Sequence, residues 1–182
     1  MSQLWMEKSD LANVPNVETP HGFEVRTFQP GDEDGLARVY AASQLGTETA
    51  AAVRERMLAH PCFRPERLFV ATADGRIVGT AAAWLEDKDP GVGYLHMVGV
   101  APECRGAGLG RVLTVRAIAY TRAEGLVAQR LYTDDWRESA IRLYLGLGYR
   151  PLYADDTHPE RWRDIAEKLR APSATAMAID LR

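Results

Sequence analysis

The chain has little of several things that would settle its class at a glance. Only two of its 182 residues are cysteines, Cys62 and Cys104, too few for a disulfide framework. Neither stands near a histidine at the spacing of a zinc site, so no metal is expected. No stretch approaches the roughly 20 apolar residues that cross a bilayer. The first ten residues, Met1 to Asp10, lack the basic start and apolar run of a leader. Charge of one sign is missing too: 22 Lys and Arg stand against 25 Asp and Glu, a net charge of −3. That balance gives no electrostatic reason to expect nucleic acid or an anionic membrane as a partner. The absences together point to a reduced, cytoplasmic setting.

What is present suits a globular protein. Hydrophobic residues make up 46% and charged residues 26%, enough to bury a core, and the length suits one domain. Residues 1–21 carry Pro15 and Pro20 and no sustained period, and are expected as an irregular arm before a single domain over 22–182. Phe23 to Phe28 alternates apolar and polar, which predicts a strand. Asp32 is then placed to cap a helix reaching about Leu45. A second helix is expected from about Thr49 to before Pro61. Two strands follow, Arg67–Thr72 and Arg76–Leu85, joined by Ala73-Asp74-Gly75, a tight-turn signal. Val92–Val100 reads as a buried strand. A helix with a broad apolar stripe runs from Leu109 to Glu124 and stops at Gly125. A strand at 130–133, a helix around 140–147 closed by Gly148, a strand at 149–153, a helix at 160–169 and a last strand at 174–181 complete the chain. The order is mixed α/β (α+β), with antiparallel hairpins in the first half.

Between the strand ending at Val100 and the next helix lies Arg105-Gly106-Ala107-Gly108-Leu109-Gly110. Glycines let backbone N–H groups close on an anion, and a helix start adds free donors and the positive end of its dipole. This is a phosphate cradle, to which Arg105 and Arg111 can add charge. A plain structural turn accounts for the same glycines. Two nucleotide sites are excluded by spacing. A P-loop needs a Gly-Lys pair, and the chain has none. A dinucleotide fingerprint needs a third glycine where Leu113 stands.

The run from Leu95 to Gly110 resembles the signature motif of the GNAT superfamily of acetyltransferases. About thirty residues on, Ala140-Ile141-Arg142-Leu143-Tyr144-Leu145-Gly146-Leu147-Gly148-Tyr149 is similar to that family's second signature. The resemblance implies the GNAT fold, a mixed and mostly antiparallel sheet of six to seven strands flanked by helices and splayed at the cofactor site. It implies acetyl-CoA as acyl donor, and an amine acceptor that the sequence does not identify. Main-chain groups of Met97, Val98 and Val100 would pair with the pantetheine arm, and the loop Arg105–Gly110 would take the pyrophosphate. The Val98 N–H would polarise the acyl carbonyl. Tyr144 matches the family tyrosine that protonates the departing thiolate; its alternative is a core tyrosine. His96 is the best base by chemistry, with a structural histidine as the alternative. Tyr94 shares its face by strand alternation, and Glu86 is a fallback. Where relatives carry a cofactor-contacting asparagine, this chain has Arg137, read either as a contact to a CoA phosphate or as a solvated arginine.

Asp134 and Asp135 read as helix caps or as attractors of a cationic amine, and Trp84, Trp136 and Trp162 as pocket walls or core. The leading expectation is transfer of acetyl from CoA to a primary amine by direct attack in a ternary complex. The alternative is a noncatalytic acyl-CoA-binding or sensing module. The resemblance also leaves open a homodimer through edge strands.

Overall fold

The structure, a computed structural model, describes residues 2–46, 49–86 and 89–170. Its strands are β1 (Leu4–Lys8), β2 (Glu24–Thr27), β3 (Leu68–Ala73), β4 (Arg76–Leu85), β5 (Val92–Val100), β6 (Ala128–Thr133) and β7 (Arg150–Leu152). Its helices are α1 (Glu33–Ala42), α2 (Ala50–Val53), α3 (Leu109–Ala123), α4 (Glu138–Gly146) and α5 (His158–Arg170). The sheet order is β2-β3-β4-β5-β6-β1-β7. Every neighbouring pair is antiparallel except β5 and β6. This is the mixed, mostly antiparallel sheet of seven strands that the sequence leads one to expect.

The two faces of the sheet are sorted by strand alternation. On β3 and β4, Phe69, Ala71, Val78, Ala81 and Ala83 join one core with α3, α4 and α5. Leu68, Val70, Ile77, Ala82 and Trp84 join a second core with α1 and α2. Asp74 and Gly75 make the β3–β4 turn with φ of 49° and 74°, the left-handed pair whose twist matches that of the strands. α2 runs on into a wider π turn over Arg54–Leu58, where the Ala59 N–H reaches the Arg54 carbonyl at 2.8 Å.

Two expectations are corrected. The first residues are not an irregular arm throughout: Leu4–Lys8 is a strand inserted between β6 and β7. Leu4 and Met6 are fully buried in the larger core. Five residues with Trp5 on the outer face do not alternate cleanly in apolarity, so the period was hidden. Asp32 occupies the N-cap of α1, but its carboxylate does not bond the first turn. It takes both terminal nitrogens of Arg26 (2.7 and 2.8 Å) and the Gln29 N–H instead. The strand expected at 174–181 lies outside the described residues.

Candidate functional site

The parallel pairing of β5 with β6 lasts only from Val92↔Ala128 to Tyr94↔Arg130. Beyond Tyr94 the two strands part. On the other side of β5 the register with β4 shifts between Thr80 and Ala82, a bulge that bends the strand. Met97, opposite this shift, has φ of 53°, an uncommon conformation for a side-chain-bearing residue. Past the bulge, the Ala101 N–H donates to the Val78 carbonyl at 2.8 Å. Counting back by alternation, the main-chain groups of Val98 and Val100 turn away from β4 toward the splay. Met97, expected as a main-chain contact, sits at the bend and packs its side chain with the α1–α2 core.

The glycine loop closes the far end of β5. A short 3₁₀ turn, Pro102–Cys104, leads into Arg105. Gly106 and Gly108 have φ of 83° and 86°, and Gly108 is the N-cap of α3. A methyl group on Gly106 would meet no atom within 4 Å, and on Gly108 only Pro20 Cγ at 3.9 Å, so the space above the loop is open. Ala107 packs against the larger core. Leu109 and Gly110 open the first turn of α3, where N–H groups have no upstream helical carbonyl. Gly110 stands beside Leu143 of α4 and Val100 of β5. These features fit a pyrophosphate and an extended pantetheine chain. Arg111 is partly exposed in the same turn and forms no ion pair among the described residues.

Two arginines make contacts within the protein that the sequence did not announce. Arg105 donates through a terminal nitrogen to the Ala42 carbonyl (3.0 Å) and through Nε to the Val100 carbonyl (3.3 Å). Arg137 donates to Asp134 Oδ2 (2.9 Å) and to the carbonyls of Ser43 (3.0 Å) and Gln44 (2.8 Å), and is not a solvated helix-start side chain. Both therefore grip the C-terminal end of α1. Neither Asp134 nor Asp135 caps α4: Asp134 pairs with Arg137, and Asp135 takes both Nε and a terminal nitrogen of Arg161.

Tyr144 lies in the core on the α3–α5 side, 7% exposed, with its ring edge-on to Tyr149. Burial pushes its phenol up to about 12, against the opposing pull of the Arg137 charge. His96 lies on the other face. Its ring centroid stands 5.3 Å from that of Trp84, whose ring also lies 5.0 Å from that of His60. Burial lowers the His96 pKa; the Glu86 carboxylate opposes this and His60 adds to it. His96 Nδ1 is enclosed with no hydrogen-bond partner among the described residues. Tyr94 is on the same side, but its hydroxyl donates to Asp89 Oδ2 and its ring faces Tyr132. Burial and that carboxylate push the phenol up. A cavity of about 550 Å³ opens at the N-terminal end of β5, lined in part by Cys62, Arg64, Arg67, Glu86 and Asp89. Trp162 is core, Trp84 lines the His96 face, and Trp136 is 60% exposed.

Ser43 and Gln44 in the α1–α2 connection and His60 in the α2–β3 connection were not foreseen, because single residues of these types in connections carry no spacing signal. Among the described residues no His, Cys, Asp and Glu cluster is placed to hold a metal, and no helix is long and apolar enough to cross a membrane.

The acetyltransferase (GNAT) family model matches residues 35–149. The mycothiol acetyltransferase of Thermomonospora curvata is 39% identical over 148 residues, covering 78% of this chain and 49% of that protein. The mycothiol acetyltransferase of Frankia alni is 36% identical over 179 residues, covering 90% and 53%. The chain thus spans about half the length of these curated relatives. Among solved structures, a GCN5-related N-acetyltransferase from Sphaerobacter thermophilus superposes with a TM-score of 0.68 at 25% identity, over 84% of this chain and 50% of that one. The ribosomal-protein-S18-alanine N-acetyltransferase of Escherichia coli shares the fold, with a TM-score of 0.57 at 17% identity, over 69% of this chain and 76% of its own.

Proposed function

The chain belongs to the GNAT family of acetyltransferases, and on that footing we propose that it moves an acetyl group from acetyl-CoA to a primary amine by direct attack in a ternary complex. The observation that carries this is the splay itself. Past Tyr94 the β5 main chain at Val98 and Val100 faces an opening, and the open loop of Gly106 and Gly108 stands at its end. When bound, acetyl-CoA supplies an activated acyl group and a thiolate leaving group.

The chain's own residues then divide the work. The first-turn N–H groups of Leu109 and Gly110, with the Gly106–Gly108 backbone and Arg111, hold the pyrophosphate. The Val98 N–H donates to the acyl oxygen as negative charge develops there. His96 is neutral at pH 7 because burial lowers its pKa, so it can accept a proton from the attacking amine. Its Nδ1 is enclosed, which leaves Nε2 as the receiving atom. Tyr144 is protonated throughout the physiological range, and its Oη gives a proton to the departing sulfur. His96 and Tyr144 lie on opposite faces of the sheet, so amine and thiol are served from opposite sides of the splay. Tyr94, its hydroxyl committed to Asp89, acts as a wall of the acceptor side.

The acceptor is a primary amine entering on the His96 face, beside the cavity that Glu86 lines. The test is release of CoA by the purified chain with acetyl-CoA and a panel of amines, including the acceptor used by the mycothiol acetyltransferases and peptide N-termini. Turnover on at least one amine is expected. Tight acetyl-CoA binding with no turnover on any would establish a noncatalytic acyl-CoA-binding module instead.

A further inference from the structure

Arg137 joins the start of α4 to the end of α1. It stands at the N-cap of α4 with its side chain 19% exposed. Asp134 fixes Nε, the Ser43 and Gln44 carbonyls take the terminal nitrogens, and the Trp136 ring lies 4.1 Å from Cζ. Immobilising so long a side chain costs entropy, so a solvated role does not explain it. Its placement is electrostatically apt, because the carbonyls it holds are at the negative end of α1. Gln44 is left-handed, with φ of 54°, so the chain turns there as it passes over β5. Tyr144 follows on α4 two turns later and on the same face. Helical side chains lean toward the N-terminus, which carries the phenol back toward the guanidinium. The Tyr149 ring also packs edge-on against that phenol.

We propose that Arg137 is a positioning residue that couples the donor cleft to the acceptor side. By clasping Ser43 and Gln44 it fixes the α1–α2 connection beside the open end of the splay, and by standing near Tyr144 it prepares that phenol to give up its proton. When Tyr144 Oη protonates the leaving sulfur, the C–S bond has broken with its electron pair on sulfur. The phenolate left behind is stabilised by the guanidinium until solvent returns the proton. Both roles fall to one side chain, so an acceptor-side loop out of place weakens proton delivery in the donor cleft. This rests on the acetyltransferase reading.

The test uses Arg137→Gln, Arg137→Lys, Tyr144→Phe and the Arg137→Gln/Tyr144→Phe double variant. Amide hydrogen exchange at residues 43–45 is read without ligand, acetyl-CoA affinity by calorimetry, and kcat on the best amine of the panel. Arg137→Gln is expected to speed exchange at 43–45 by about tenfold or more and to lower kcat by about tenfold, with acetyl-CoA Kd within about threefold of the parent. Arg137→Lys, which keeps the charge but loses the planar fork, should recover kcat only in part and leave residues 43–45 unprotected. In the Tyr144→Phe background, Arg137→Gln should cost little further kcat. Unchanged exchange at 43–45 would overturn the clasp. Additive kcat losses would overturn the link to Tyr144, and a loss confined to acetyl-CoA affinity would make Arg137 a donor-binding residue instead. If the parent binds acetyl-CoA but acetylates nothing, the acetyltransferase reading fails, and the exchange measurement still decides the clasp.

Discussion

Gly99 of β5 lies directly under Ser43: a methyl group at position 99 would stand 2.8 Å from Ser43 Oγ and 3.2 Å from Ser43 Cβ and Leu45 Cδ1. The α1–α2 connection therefore rests on bare backbone at the strand that lines the splay. Gly99→Ala must push that connection outward. Overpacking of this kind costs about 1–3 kcal/mol, and urea unfolding should show a loss in that range. An unshifted midpoint would mean that the connection moves freely, and would contradict the tight seat described above.

Gly108 and Gly110 separate two roles of glycine in one loop. At Gly108 the strain comes from φ of 86° and not from crowding. Gly108→Ala should cost about 1–2 kcal/mol and re-aim the N–H groups around it, weakening acetyl-CoA binding by about tenfold or more. Gly110 is helical, and a methyl there makes ordinary contact with Leu143 at 3.4 Å. Gly110→Ala should stabilise the fold by about 0.5–1 kcal/mol. Calorimetry and thermal unfolding on the same two proteins check both expectations. Equal stability changes at the two sites would refute the distinction.

The acid limb of activity should lie low. The His96 pKa is held below its ordinary 6.5 by burial, with Glu86 pulling the other way, so the base form persists at neutral pH. A plot of kcat/KM should fall only below about pH 6.5, and His96→Ala should remove that limb along with about 10²-fold or more of rate. The same shift has a stability consequence. A depressed folded-state pKa means that the fold prefers neutral imidazole, so this contribution is complete above 6.5 and is lost as pH falls through the window below it. The melting temperature of the parent should decline more steeply than that of His96→Gln across that window.

Tyr144→Phe probes the other proton. The phenol, pushed up to about 12, stays protonated over the working range and should produce no alkaline limb near neutrality. Its removal should lower kcat by about 10²-fold while acetyl-CoA affinity stays within about threefold. With chemistry shown to limit turnover, an unaltered kcat would remove Tyr144 from the mechanism.

Much of this architecture could be read from residues alone, and the reasons are physical. Asp74-Gly75 specifies one turn geometry, and the Leu109–Glu124 stripe specifies one helix. Gly106 and Gly108 stand at positive φ before a helix, in the loop that the sequence marks as a candidate anion site. The glycine loop was legible as a loop because backbone conformation is constrained by local sequence. Side-chain engagements across distant segments were not legible. Arg137 and Arg105 find the carbonyls of residues 42–44, and Arg161 finds Asp135, through contacts that only the tertiary fold creates. The segment from His158 to Trp162 reads in sequence as no more than a proline-marked helix start. In the fold, His158 is fully buried, its Nε2 lying 3.1 Å from the Gln3 carbonyl and its Nδ1 3.1 Å from the Ala154 nitrogen. The bulge at Met97 also gave no sign, because methionine is not a residue of turns. β1 was missed because Trp5 interrupts the apolar alternation of its neighbours.

That last strand bears on how the molecule assembles. β1 pairs Leu4 with Thr133 and Trp5 with Leu152, partners far from it in sequence. β7 is three residues long and, among the described residues, pairs with β1 at the edge of the sheet. Contacts of such sequence separation form slowly. Until β1 arrives, β6 is an unpaired edge open to strands of other molecules. Because this edge closes only through partners distant in sequence, yield during refolding should be far more sensitive to protein concentration than the modest size of the chain suggests.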